Sequence, residues 1–89
     1  MKILHKVMAT GIMVSGECYV VGAELNDLTG DGNAAIYNAA AATAGQLFAT
    51  LRASDEAQSV NVMFPMPGIK CDNVYITLTN GAGTLYYYY

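Results

Sequence analysis

Residues 34 to 53 read "AAIYNAAAATAGQLFATLRA", and whether they coil or extend sets the class of the whole chain. Ile36, Ala40, Ala44, Leu47 and Leu51 form a helical stripe, and alanine is the best helix former. Two features oppose a helix: Gly45 interrupts the middle, and no charged i,i+4 pair supports an exposed face. The second half also alternates, with Leu47, Ala49 and Leu51 on one side of an extended segment. The residues of this stretch leave both conformations open.

Outward from it the period is two. In "AQSVNVMF", Val60, Val62 and Phe64 share a face, with Ser59 and Asn61 opposite. In "NVYITLTN", Val74, Ile76 and Leu78 alternate with Tyr75, Thr77 and Thr79, and "ECYVVGAEL" places Tyr19, Val21, Ala23 and Leu25 together. Alternation in β-branched and aromatic residues marks half-buried strands. Turn signals fall between them at Thr10-Gly11, Ser15-Gly16, "GDGN", "PMPG" and "NGAG". Pro65 and Pro67 forbid a central strand through 65–68. Asn80-Gly81 predicts a hairpin joining 73–79 to 84–89. Strands are expected at about 2–9, 12–14, 18–25, 33–38, 46–52, 57–64, 69–79 and 84–89. The fold expected is all-β, a single jelly-roll-like antiparallel β-sandwich of seven to eight short strands spanning 1–89 as one domain.

Composition narrows what such a domain does. Hydrophobic residues make up 54% of the chain and charged ones only 12%, against roughly 25% charged in an ordinary soluble domain. A short chain has much surface to cover and normally covers it with charge, so this one is expected to sit in a membrane or against other protein. No window approaches the roughly 18 uninterrupted apolar residues of a spanning helix, which favours protein partners over a membrane. The start, "MKILHKVMATGIMVSGEC", imitates a lipoprotein signal, but His5 and Lys6 break its apolar run and Glu17 precedes Cys18, so we read it as mature chain. The four basic residues, Lys2, Lys6, Arg52 and Lys70, are scattered, so no nucleic-acid footprint is expected. Two cysteines, Cys18 and Cys71, read as reduced thiols rather than a disulfide framework.

The order of these segments carries a resemblance. "VSGECYVVGAEL", then "AAIYNAAAATAGQLFATLRA", then "VNVMFPMPGIKCDNVYITLTNGAGTLYYYY" resembles a family of small tailed-phage virion proteins over about residues 12 to 89. Its elements are a strand closing on Ser-Gly, a short strand ending in G-x-x-L, a strand with Tyr-Asp or Tyr-Asn, a Gly-Leu-Leu-like strand, an apolar strand ending in Pro, a "G-I-x-x-x-N" bend, "V-Y-I-T-L-T" and a terminal aromatic strand. The resemblance implies that "NAAAATAG" is a turn between two strands. The alanine-rich, uncharged turn departs from the family's pattern and keeps the helix as an alternative.

Candidate chemistry is sparse. "NDLTGDGNAAIYN", residues 26 to 38, imitates a calcium loop through Asp27, Asp31 and Gly32. The twelfth position, however, holds Asn38 instead of a bidentate Glu, Thr29 replaces an acidic ligand, and a strand precedes it. We read a turn, with no metal. His5 is the sole histidine and has no acid near it in sequence, and Cys18, Cys71 and His5 lack zinc-site spacing. No enzyme and no cofactor are expected.

The terminal "TLYYYY" places Leu85, Tyr87 and Tyr89 on one face, assigned to the core, and Tyr86 and Tyr88 on the other. Large rings that keep a hydroxyl are enriched at protein interfaces. Tyr86 and Tyr88, with Met63 and Met66 of the "VMFPMPG" edge, are therefore the candidate partner residues. The function that the resemblance to phage virion proteins implies is structural: a capsid decoration or cement protein of a bacteriophage virion, made in the host cytoplasm and incorporated into the particle. Its partners would be the major capsid protein or neighbouring virion subunits, and it would form a homo-oligomer, either a trimer or lattice copies. A neck, adaptor or tail subunit is the alternative within the class. A carbohydrate-binding module of a host-recognition fibre is the alternative outside it, and a calcium-dependent binding domain of a bacterial scaffold rests on the loop alone.

Overall fold

The computed structural model describes residues 2–26, 31–54 and 59–89. Seven strands form in chain order: β1 (Leu4–Val7), β2 (Gly11–Asn26), β3 (Gly32–Tyr37), β4 (Leu47–Ala53), β5 (Ser59–Met63), β6 (Ile69–Thr79) and β7 (Ala82–Tyr88). All pairings are antiparallel and join in one sheet, ordered β1-β7-β2-β6-β3-β4, with β5 also on β2. The all-β, sandwich-like class expected from the alternation is the class observed. No α-helix occurs among the described residues.

The ambiguous stretch is strand, turn, strand. β3 and β4 pair from Gly32↔Ala53 to Tyr37↔Leu47, and the alanine run becomes their connection, closed by a short 3₁₀ turn at Ala44–Gln46. The Asn38 amide N–H donates to the Gln46 carbonyl (2.9 Å), and the Asn38 side chain accepts from the Asp72 N–H (2.8 Å). Ala34, Ile36 and Leu51 are buried on one face of this pair, and an isolated alanine-rich helix would bury none of them so well.

β2 organises everything else. The expected strands 12–14 and 18–25 are a single strand of 16 residues. Ser15-Gly16 is a bulge and not a turn: the register slips between Ser15 and Cys18, Gly16 takes φ +99°, and its N–H is satisfied by the Asn73 side chain at 3.1 Å. A second slip lies between Val20 and Gly22 against β7. Strands that pass from one packed layer to another do so through such bulges. The N-terminal half of β2 pairs with β6, which pairs with β3; the C-terminal half lies between β7 and β5.

Two expectations about face and pairing are corrected. The bulge at Val21 breaks the parity of "ECYVVGAEL": Val20, Ala23 and Leu25 enter the core, while Tyr19 stays on the outer face and Val21 packs outside the core cluster. Asn80-Gly81 has the two positive φ values (55° and 80°) of a hairpin turn, yet β6 and β7 do not pair. Both edges of β6 are filled, by β2 and β3, so β7 crosses to the free edge of β2 and the turn serves as a corner.

The core lies between the two halves of the sheet. Val20, Leu25 and Leu85 from one half meet Ile36, Val74 and Ile76 from the other, all fully buried. Val60, Val62, Phe64 and Leu78 pack partly buried against this cluster, on the side expected of them. Phe48 of β4 lies against Phe64, with ring centroids 6.0 Å apart.

Candidate functional site

Register across the outer face of β1, β7, β2 and β5 decides which side chains stand together. Directly opposed residues in antiparallel strands point to the same side. One row runs His5↔Tyr86↔Gly22↔Met63, and the next Val7↔Thr84↔Glu24↔Asn61. Beyond the bulge, Tyr19 opposes Tyr88, and their rings stack at 5.1 Å with planes 9° apart. Three of the candidate residues named from sequence, Met63, Met66 and Tyr86, line one groove of about 540 Å³ with Ile3, Phe64 and Glu24. The fourth, Tyr88, does not line it; its hydroxyl donates to the Pro67 carbonyl (2.7 Å).

Gly22 makes the groove possible. It lies buried in the middle of the row, where a Cβ would stand 2.5 Å from the Met63 sulfur and 2.7 Å from the Val62 carbonyl oxygen. Without a side chain there, Met63 folds across β2 while staying 65% exposed, and Met66 within the Pro65–Gly68 turn is 54% exposed. Exposed methionines are soft, adaptable contact surfaces. The Tyr86 hydroxyl donates to Glu24 Oε1 at 3.1 Å, and this bond to a carboxylate raises the Tyr86 phenol above its ordinary pKa.

The terminal strand keeps the expected parity as far as Tyr88. Leu85 and Tyr87 are buried, and Tyr86 and Tyr88 are half-buried on the outer face. Tyr89 departs: it is 72% exposed, because the strand ends at Tyr88 and the last ring covers only the edge of Tyr87, centroids 5.8 Å apart.

The remaining candidates lie apart. Cys18 and Cys71 are direct cross-strand partners, both buried as free thiols in the half of the sheet built on β6. Burial, helped by Cys18 and Asp72, pushes the Cys71 thiol up to about 12, so neither is a ready nucleophile. His5 is exposed on β1. Of the imitated calcium loop, Asp27, Thr29 and Gly30 lie outside the described residues, while the Asp31 carbonyl accepts a hydrogen bond from the Asn80 side chain (3.2 Å). Among the described residues, no three His, Cys, Asp or Glu side chains group as a metal site, and no helix is long and apolar enough to cross a membrane.

Glu24, Gly22 and Ile3 were not legible as site residues. Glu24 reads in sequence as an ordinary outward polar position of a strand, and only pairing brings it beside Tyr86. Comparison with known families, curated proteins and solved structures finds no match.

Proposed function

We propose that this chain is a structural subunit of a bacteriophage virion, a capsid decoration or cement protein. It binds the major capsid protein or neighbouring subunits through the outer face of β7, β2 and β5. The observation that supports it best is the groove: Met63 and Tyr86 on the sheet face, with Phe64 and the exposed Met66 from the segment that follows β5, in a chain with only 12% charged residues. Such a surface fits partners by burying area, since aromatic and Met side chains mark the cores of protein interfaces. The virion itself comes from the order of sequence segments. Repetition on a symmetric lattice, or in a trimer, multiplies a modest patch into stable attachment.

Co-sedimentation with shells of the encoding phage tests this. Wild-type protein should travel with shells, and Met63→Asp, which places a charge in the groove, should stay in the supernatant while folded. A wild-type protein that remains a free monomer beside every virion component overturns the proposal. Binding to isolated necks or tails but not to shells would assign it to those parts, and saturable binding to a glycan array would replace it with the carbohydrate-binding alternative.

A further inference from the structure

The groove is mainly apolar, and Asn61, the Tyr86 hydroxyl and one carboxylate are the polar groups of its described lining. Among the described residues that line it, Glu24 alone is charged, half-buried on the β2 strand between Thr84 and Asn61. Its Oε1 is occupied by the Tyr86 hydroxyl, and among the described residues no donor reaches Oε2 and no basic side chain pairs with it. A purely apolar partner laid over this face would bury Glu24 with its charge uncompensated, which is strongly unfavourable. The occupant must therefore bring both an apolar stem and a cation.

We propose that the groove receives an arginine side chain from the protein partner, which rests on the assembly function proposed above. The stem lies along Met63, Phe64 and Ile3, which offer only hydrocarbon and sulfur. The guanidinium then meets two acceptors side by side, Glu24 Oε2 and the lone pairs of the Tyr86 oxygen, whose proton is already committed to Oε1. A planar fork of donors matches that pair, and the Tyr86 ring adds a face for the cation. The net charge of −3 on this chain favours a basic partner at longer range.

The test uses the full chain, ¹⁵N-labelled, titrated with n-butylguanidinium and with its neutral isostere n-butylurea. Butylguanidinium should cause saturable shifts centred on Gly22, Glu24, Met63 and Tyr86, and butylurea should bind roughly tenfold more weakly. Glu24→Gln keeps an acceptor for Tyr86 and should make the two probes equal. Met63→Ala should weaken both by a similar factor. Equal binding of the probes to wild type, undiminished guanidinium preference in Glu24→Gln, shifts centred elsewhere, or no saturable binding each overturns the proposal. A shell-binding protein that ignores guanidinium refutes the arginine alone; a guanidinium-binding protein that ignores all virion parts refutes the virion assignment alone.

Discussion

Truncating the terminal tyrosines one at a time separates the core from the docking face. Tyr87 is 8% exposed and shares the core with Leu85 and Val20, so Tyr87→Ala removes an almost wholly buried ring. Large-to-small changes of that kind cost about 3–5 kcal/mol. Tyr88 is half-buried and contributes two separable terms, a hydroxyl bond to Pro67 at 2.7 Å and a stack on Tyr19 at 5.1 Å. Each is worth about 0.5–1.5 kcal/mol, and solvent at the strand end places their sum near the lower half of that range doubled, roughly 1–2 kcal/mol. A chain of 89 residues has a total stability of about 4–13 kcal/mol, so Tyr87→Ala consumes much of it while Tyr88→Ala does not. Urea unfolding followed by circular dichroism reads both, with Tyr87→Leu as the milder variant should Tyr87→Ala fail to fold. Expected is a midpoint order of wild type, Tyr88→Ala, Tyr87→Leu, Tyr87→Ala, from highest to lowest. If Tyr88→Ala unfolds at lower urea than Tyr87→Ala, the assignment of faces on β7, and with it the placement of the groove, is wrong.

Two other perturbations probe the corner and the thiols. Gly81→Ala should cost about 1–3 kcal/mol, because φ is +80° and the new Cβ would meet the Asn26 carbonyl oxygen at 2.6 Å. Gly45→Ala, with nothing within 4 Å, should be neutral or stabilise by up to about 1 kcal/mol; equal costs by thermal melting would refute the corner. In alkali, native Cys71 stays protonated to about 12, while the unfolded thiol ionises from about 9. The unfolded chain then binds fewer protons, so stability falls as pH rises through that window, by up to about 1.4 kcal/mol per pH unit. Subtracting the profile of Cys71→Ala removes the tyrosine contribution, and a difference that stays flat from pH 9 to 12 would show an accessible thiol.

How much could be read in advance depended on how far apart in the chain the deciding groups lie. The alternation in 59–64 and 73–79 lies within single strands, so the core side of Val74 and Ile76 and the exposure of Ser59, Asn61 and Thr79 were legible without any partner. The candidate residues Met63, Met66 and Tyr86 were legible as types suited to an interface, but their convergence on one groove was not. It needs the pairing of Gly22 with both Met63 and Tyr86, across separations of 41 and 64 residues (63 − 22 and 86 − 22).

By itself, then, the sequence determined the class, because period-two hydrophobicity, Pro65 and Pro67, and scarce charge are local properties that no packing can reverse. It left 34–53 undecided, since alanine's helical preference of a few tenths of a kcal/mol per residue is small beside the burial of Ala34, Ile36 and Leu51 in a paired sheet. Only the tertiary structure decided that Ser15-Gly16 is a bulge and not a break, that Asn80-Gly81 is a corner and not a hairpin, and that Glu24 sits in an apolar groove. Each of these outcomes is settled by which strand edges are still free once the others have paired. That competition runs across the whole chain, and no window of sequence contains it.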